Sequence, residues 1–279
     1  MHDFFNEACI MESKKVLFVS QEITPYLPES ELSLISRKLP QAIQETGKEI
    51  RTFMPKYGNI NERRNQLHEV IRLSGMNLII DDTDHPLIIK VASIQAARMQ
   101  VYFIDNEEYF QRKHTVVDSK GAHFQDNDER MIFFARGVLE TVRKLRWSPD
   151  LVHCHGWFTS LVPLYIKKAY REDPLFADSK VVFSFYDNGF DESLDTSFSK
   201  KILVDGVSEE HLSMVKNTGY ESLASLAATY SDGLIQGSES LPAKVEEVLK
   251  KSGKPYLNYA NEEKYVEEFS VFYDRIINE

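Results

Sequence analysis

Short apolar runs alternate with amphipathic stretches along most of this chain. The first run, residues 16–19, is continuously apolar, which is typical of a strand buried on both faces of a sheet. Apolar residues then recur at helical spacing from Leu32 to Ile43, and Gly47 follows where a helix C-cap is expected. A second short strand is predicted at residues 50–54. Strand, helix and strand in this order form the opening unit of a doubly wound sheet.

The region between residues 69 and 105 has a different pattern. Short β-rich runs are separated by Gly75 and by the polar segment 81–86, which predicts β-hairpins inserted in the sheet or extending it. Strands and helices alternate again afterwards. Strands are predicted at 149–155, 180–186 and 232–236, helices at 126–146, 159–170, 221–230, 240–251 and 261–277, and a Ser- and Asp-rich loop at 187–205.

This alternation predicts an α/β fold with a single Rossmann-like, doubly wound parallel sheet and an inserted β-hairpin region. We predict one domain over residues 14–253 and a flexible leader at 1–13. The C-terminal segment 254–279 carries an amphipathic helix, and its apolar face requires a surface to dock on. We therefore expect that helix to pack back on the domain.

Composition narrows the classes of partner. The net charge of −10 argues against nucleic acids and anionic membranes, which are bound by clustered Lys and Arg. Two cysteines, Cys9 and Cys154, are too few for a disulfide framework, and with no signal peptide or membrane-spanning stretch in the sequence they indicate a cytoplasmic protein. Neutral carbohydrates and proteins stay open as partners.

The loop before the first helix lacks the glycines that usually let backbone N–H groups approach a phosphate. The sequence from Pro28 to Glu31 instead supplies Ser30 as a candidate N-cap, between Glu29 and Glu31. Carboxylates at a helix N-terminus occupy the place that the helix dipole offers to an anion. No diphosphate site, and no bound cofactor, is predicted here.

Two candidate sites follow from residues 153–157. His153 and His155 share a face of the predicted strand, but no third ligand at a recognisable spacing supports a metal site. We expect a half-buried His153 and a loop His155 at the carboxyl edge of the sheet, where open α/β sheets bind ligands. Trp157 suits either stacking on a sugar ring or filling the core.

Asp126, Asn127 and Arg130 lie within one turn at a predicted helix start. They form either an N-cap with a first-turn charge pair or a polar cluster facing the same edge. The acidic run at residues 81–84 lacks the glycine and distal glutamate of a calcium loop and is interpreted as a solvated turn. No metal site is predicted from either group.

An ordered set of short motifs between Lys14 and Leu241 resembles the N-terminal half of bacterial glycogen and starch synthases. The motifs are Val19-Ser20-Gln21-Glu22 with Pro25, Leu39-Pro40, Met54-Pro55-Lys56-Tyr57, Tyr102-Phe103-Ile104-Asp105, Asp126-Asn127 with Arg130, Asp150 to His155 with Trp157 and Thr159, Leu161-Val162-Pro163, and Tyr230-Ser231-Asp232.

The resemblance implies the B-type glycosyltransferase fold, in which two Rossmann-like domains face each other across a cleft. It implies transfer of glucose from ADP-glucose to an α-1,4-glucan, with retention and without a metal. The N-terminal domain of that family mainly holds the glucan. On this basis a remnant cleft that binds an α-glucan or sugar is expected to include Glu22, Asp126, Asn127, Arg130, His155, Trp157 and Thr159.

Four departures from the family pattern argue against simple transfer of that activity. The Lys-x-Gly-Gly loop of the family falls on residues 28–31, its His-Asp-Trp-His motif falls on residues 155–158, and its His-Asn pair falls on Tyr186 and Asp187. After Leu241 the sequence predicts one further helix and a tail in place of a donor-binding domain. We hypothesise an internal deletion that kept the returning C-terminal helix of the fold.

Three expectations about function follow. The leading hypothesis is a catalytically impaired or inactive domain, with no catalytic residue assigned, that binds a glucan or a protein partner. The alternative is a working glycosyltransferase that uses ADP-glucose or UDP-glucose and is completed by a partner chain. The third is a different small-molecule site on the same edge of the sheet. Loss of a facing domain would also expose an apolar face, so a homodimer is expected as a partner.

Overall fold

Strand β1 (Lys15–Ser20) lies in the middle of a large sheet in a computed structural model that describes residues 13–215, 217–261 and 263–279. The other strands of the described chain are β2 (Glu49–Pro55), β3 (His68–Glu69), β4 (Met76–Ile80), β5 (Thr83–Ile94), β6 (Met99–Asp105), β7 (Leu151–His155), β8 (Lys180–Phe185), β9 (Gly233–Gln236) and β10 (Tyr256–Leu257). The helices are α1 (Glu31–Glu45), α2 (Glu107–Phe110), α3 (Asn127–Leu145), α4 (Leu161–Lys167), α5 (Phe198–Lys201), α6 (Tyr220–Tyr230), α7 (Ala243–Lys251) and α8 (Tyr265–Asn278).

The sheet runs in the order β10-β9-β8-β7-β1-β2-β6-β5-β3, and β4 pairs with β5. Neighbouring strands from β10 to β6 are parallel, whereas β5 is antiparallel to β6, β3 and β4. The order reverses at β1, because β2 lies on one side of it and β7 on the other. The predicted α/β class, with a doubly wound parallel sheet and an added hairpin region, is confirmed.

The hairpin region differs from the prediction in two places. The first of the β-rich runs expected from residue 69 onwards is reduced to the two residues of β3, since the chain turns at residues 71–73. The expected break at 81–86 is also shorter. Only Asp81 and Asp82 form the turn, both with positive φ (48° and 59°), as a two-residue hairpin requires. The following polar residues begin β5, where Pro86 pairs with Asn77.

Three local elements were predicted with the wrong extent or not predicted at all. The predicted helix at 159–170 is divided into a 3-10 turn at Trp157–Thr159 and the shorter α4. The predicted loop at 187–205 contains α5, and β10 follows the break at Gly253. Elements of two to four residues are too short to give a hydrophobic period, so the sequence pattern does not reveal them.

The core consists of one apolar layer on each face of the sheet. Leu17 and Val19 belong to the layer under α3, α4 and α6, whereas Val16 and Phe18 belong to the layer under α1 and α8. Successive side chains of a strand point to opposite faces, which accounts for this division. Helix α8 contributes five buried side chains to the second layer, namely Tyr265, Phe269, Phe272, Tyr273 and Ile276.

The predicted leader at 1–13 lies outside the described residues except for Ser13, whose hydroxyl donates to the carbonyl of Gly47 at 2.5 Å. Within the described ranges, no helix combines the length and the apolar character needed to cross a bilayer.

Candidate functional site

The N-terminus of α1 is closed by its own side chains. Ser30 is the N-cap, as predicted, and its hydroxyl accepts from the N–H of Ser33 at 3.0 Å. The Ser33 hydroxyl in turn accepts from the N–H of Ser30 at 2.8 Å. This reciprocal capping box satisfies donors that a phosphate would otherwise use.

Carboxylates surround the same helix start. The Ser30 hydroxyl donates to Oε2 of Glu22 at 3.0 Å, and the Ser238 hydroxyl donates to Oε2 of Glu31 at 2.5 Å. Partial burial raises the pKa of Glu22, and its hydrogen bond from Ser30 opposes that shift. With Glu29 exposed nearby, an anion approaching the start of α1 meets several acidic groups.

His153 and His155 lie side by side on one face of β7, with ring centroids 3.7 Å apart. The predicted shared face is confirmed. Nδ1 of His153 is 2.5 Å from the Tyr273 hydroxyl, and its Nε2 is 2.7 Å from the Ser184 hydroxyl. Nδ1 of His155 is 2.7 Å from the Tyr186 hydroxyl.

The expected exposure of these histidines was wrong. Both are completely buried, because β7 continues through His155 and α8 covers the face on which they lie. Burial lowers the pKa of His155 to about 3 and lowers that of His153 well below its ordinary value. Both imidazoles are therefore neutral at pH 7. No group of three His, Cys, Asp or Glu side chains suited to a metal occurs among the described residues.

Trp157 is only 2% exposed, so its ring is a core element and not an open stacking surface in this structure. Its ring centroid lies 4.7 Å from that of Phe190, 5.8 Å from that of His123 and 5.5 Å from that of Phe158. Of the two interpretations of Trp157, the contacts favour core filling. The partly exposed ring that Trp157 supports is that of Phe190.

The turn after β7 requires a glycine. Gly156 has a φ of +84°, and a Cβ placed there would lie 2.6 Å from Cδ1 of Leu32 in α1. Thr159 is completely buried, and its hydroxyl donates to the Gly156 carbonyl at 2.8 Å. Thr159 thus stabilises the turn and has no surface to offer a ligand.

Arg130 is completely buried and holds the segment before α3 in place. Its guanidinium donates to the carbonyls of Tyr109 and Thr115, each at 2.8 Å, and to Oδ1 of Asn127 at 2.6 Å. Burial lowers its pKa to about 10, so it keeps its charge at pH 7. Asn127 completes the arrangement by donating to the Val116 carbonyl at 2.8 Å.

Asp126 is placed at the N-cap position of α3, but its side chain makes no capping bond. Its carboxylate instead pairs with the Arg112 guanidinium, with Oδ1 2.9 Å from Nη1. The expected first-turn cap is therefore replaced by an ion pair to the preceding loop. The structure brings Asp126, Asn127 and Arg130 together as a clamp on that loop.

A polar cavity of about 550 Å³ opens beyond the carboxyl ends of β8 and β9, on the α6 side of the sheet. The sequence predicted a loop at 187–205 and helices at 221–230 and 240–251 here, but no site. The cavity is lined by Asp187, Gly189, Phe190, Asp191, Ser193, Asn217, Gly219, Tyr220, Glu221, Pro242, Ala243, Lys244 and Val245. The feature of the sequence that could have indicated this cavity is the high content of Ser, Asp and Asn around the aromatic residue Phe190.

A second cavity, of about 300 Å³, lies on the opposite face of the sheet. It is enclosed by α1, the ends of β8 and β9, and the C-terminal residues 259–260 with α8, which we call the tail. We call this cavity the tail pocket. It is lined by Glu31, Leu34, Ile35, Lys38, Tyr186, Gln236, Gly237, Tyr259, Ala260, Tyr265 and Phe269. Its aromatic residues come from two separate stretches of chain, which explains why no local motif revealed it.

The family profile and the similar sequences point to the same family of proteins. The profile of the starch synthase catalytic domain matches residues 15–258. A glycogen synthase of Chlorobium limicola is 41% identical over 173 residues, which is 62% of this chain and 35% of the relative. A glycogen synthase of Chlorobium luteolum is 37% identical over 222 residues, 77% of this chain and 45% of the relative.

Among solved structures, the catalytic domain of starch synthase IV from Arabidopsis thaliana, bound to ADP and acarbose, has a similar fold. The TM-score is 0.72 at 17% identity, and the match covers 89% of this chain and 52% of the other. At that identity the likeness concerns the fold alone. The chain spans less than half the length of the two glycogen synthases it matches.

Proposed function

The chain belongs to the family of starch synthase catalytic domains, and on that premise we propose that it is a glycogen synthase-like domain that binds an α-glucan but is impaired in glucosyl transfer. The observation that carries the proposal is the closed, acidic N-terminus of α1. Ser30 and Ser33 satisfy each other there, and Glu22, Glu29 and Glu31 surround them.

Glucosyl transfer from a nucleotide sugar needs stabilisation of the departing diphosphate. Backbone N–H groups, cationic side chains or a helix N-terminus supply it in a preorganised site. In the family that this chain resembles, a Lys-x-Gly-Gly loop meets the diphosphate, and here those positions are Pro28, Glu29, Ser30 and Glu31. Loss of one such donor costs roughly 10²–10³ in rate, and this chain lacks both the lysine and the glycines.

The other positions that match family motifs are also changed in chemistry. Phe158 stands at the second histidine of the His-Asp-Trp-His motif, and Tyr186 and Asp187 stand at the His-Asn pair. His155 is retained, but it is buried, neutral and hydrogen-bonded to Tyr186. None of these groups offers a positive charge to a leaving diphosphate at pH 7.

The polar cavity beyond β8 and β9 suits a neutral glucan better than an anion. Asp187, Asp191 and Asn217 supply oxygen and amide groups for sugar hydroxyls, and Phe190 supplies an aromatic face. Trp157 and His123 contact the Phe190 ring at centroid distances of 4.7 and 4.9 Å and hold it in position. Trp157 thus contributes to glucan binding by supporting Phe190.

Isothermal titration with maltoheptaose tests this site. We expect saturable binding by the wild-type chain and a loss of roughly tenfold or more for Phe190→Ala, since full burial of a phenylalanine side chain, here against a ligand, is worth about 1.5–3 kcal/mol. Tyr256→Ala, an exposed aromatic residue outside the cavity, is the matched control and should leave the affinity unchanged. No heat at millimolar maltoheptaose contradicts glucan binding.

The alternative is a glycosyltransferase completed by another chain that supplies the donor site. The observation that favours this alternative is the greater length of the matched glycogen synthases, of which the match covers less than half. Turnover of ADP-glucose or UDP-glucose that appears only when a second protein is added would support it. A protein partner and a homodimer stay predictions, and analytical ultracentrifugation at several concentrations tests the homodimer.

A further inference from the structure

The tail pocket has the composition of a small-molecule site that is separate from the proposed glucan cavity. Its volume of about 300 Å³ lies at the lower end of the range for ligand pockets, about 300–1,000 Å³. It opens at the carboxyl ends of β8 and β9, where open α/β sheets bind ligands. It lies on the α1 and α8 face, whereas the polar cavity lies on the α6 face.

Aromatic rings dominate the wall of the tail pocket. Tyr186 contributes from the end of β8, and Tyr259, Tyr265 and Phe269 contribute from the tail. Leu34 and Ile35 of α1, with Ala260, add aliphatic surface. A slot with several aromatic faces favours a flat ring, which gains stacked or edge-to-face contacts there.

The polar groups of the pocket are few, and several already have partners. Gln236 donates to the Glu239 carbonyl at 2.9 Å and accepts from the Tyr256 hydroxyl at 2.8 Å. The Tyr186 hydroxyl is held by His155. A sugar ring, which presents hydroxyl groups on every side, would leave many of them unpaired against such a wall.

Glu31 places a carboxylate at one end of the pocket. Its carboxylate is exposed at the N-terminal end of the lining, where Ser238 donates to one oxygen. Lys38 lies seven residues further along α1, about 10 Å away by helical rise. A compact ligand can therefore bring a positive group to Glu31 while its ring contacts the tyrosines, and tyrosine faces also attract cations.

We propose that the tail pocket binds a flat aromatic amine of one or two fused rings, with its ammonium group against Glu31 and its ring between α1 and the tail tyrosines. The proposal is independent of glucan binding. Glucan binding can fail while this site is present, and the reverse also holds.

Titration calorimetry with three probes tests the site in the full chain. The probes are tryptamine, indole and indole-3-acetate, which share a ring system and differ in charge. Tryptamine should bind most tightly and indole-3-acetate most weakly. Glu31→Gln should weaken tryptamine about two- to fivefold, the range for an exposed ion pair, and leave indole unchanged. Glu29→Gln, which removes the same charge outside the pocket, is the matched control.

A second variant tests the location. Ala260→Trp, which enlarges a residue of the lining, is expected to fill the pocket and abolish binding of tryptamine and indole, with an unchanged far-ultraviolet circular dichroism spectrum as the folding check. Maltoheptaose should not displace tryptamine. Absence of saturable tryptamine binding at millimolar concentration, equal affinity in Glu31→Gln, or displacement by maltoheptaose each overturns the proposal.

Discussion

The hydroxyl of Tyr273 lies 2.5 Å from Nδ1 of His153, and both side chains are completely buried. The two residues are 120 positions apart, so this contact ties the C-terminal helix to the centre of the parallel sheet. Tyr273 is packed against Phe18 of β1 as well, with ring centroids 6.4 Å apart. Helix α8 is therefore part of the core and not an appendage.

Removal of the Tyr273 hydroxyl should destabilise the whole domain. Tyr273→Phe leaves Nδ1 of His153 buried without a partner, which costs about 1–3 kcal/mol. Urea unfolding followed by circular dichroism measures the loss. Tyr256→Phe removes an exposed hydroxyl from the same segment and should cost much less. Equal costs for the two variants would show that α8 is not anchored through His153.

The buried histidine pair makes stability depend on pH in a defined direction. Both pKa values are lowered on folding, so the unfolded chain binds more protons than the folded chain below its histidine pKa of about 6.5. The contribution of the pair to stability is therefore full above about pH 6.5 and falls towards pH 3. At pH 5 the loss from His155 alone is about 2 kcal/mol.

Chemical unfolding at pH 7.5, 6 and 5 measures this dependence. His155→Gln should flatten the curve by removing one of the two titrating groups. His68→Gln, at an exposed position, is the control and should leave the curve unchanged. A wild-type stability that is constant between pH 7.5 and 5 would contradict the burial of the pair.

Gly156 should resist substitution more strongly than a glycine with the same backbone conformation in open space. Gly156→Ala combines a positive φ with a Cβ placed 2.6 Å from Leu32, whereas Gly121 has a φ of +86° and nothing within 4 Å. Gly121→Ala should cost about 1–2 kcal/mol from backbone strain alone. Gly156→Ala should cost clearly more by thermal unfolding, and equal costs would contradict the tight approach of α1 to the turn.

Arg130 is expected to be a structural residue rather than a ligand-binding one. Arg130→Ala leaves the carbonyls of Tyr109 and Thr115 without their donor, and each buried unpaired group costs about 1–3 kcal/mol. Arg130→Lys should recover little, because an ammonium lacks the planar fork that reaches three acceptors. Limited proteolysis of the wild type and the two variants tests this role. Cleavage within residues 109–127 should be faster in both variants, and equal rates would contradict it.

Sequence pattern was sufficient where an element is long and locally determined. Strand β1 is a continuous apolar run, and α1 carries its own cap at Ser30, so both were predicted within two residues. The two-residue strands β3 and β10 carry no period and depend on their neighbours in the sheet. Local pattern therefore gave the wrong extent for β3 and did not reveal β10.

The candidate site was harder to predict, since burial is a property of the assembled fold. Trp157 and His155 are placed at the expected sheet edge, but the coverage of His155 comes from α8 and Tyr186, which are distant in sequence. Similarly, the charge of Arg130 gave no sign that its partners are backbone carbonyls. The acidic start of α1 could be predicted, because an N-cap and the first turn of a helix are determined by residues adjacent in sequence.

Transfer of radiolabelled glucose from ADP-glucose to glycogen by the purified chain is the most direct test of the central claim. If the acidic, self-capped start of α1 cannot stabilise a departing diphosphate, incorporation should be lower than that of an ordinary enzyme by a factor of about 10²–10³ or more. Steady turnover in the ordinary range of enzymes, about 1–10³ per second, would contradict the account.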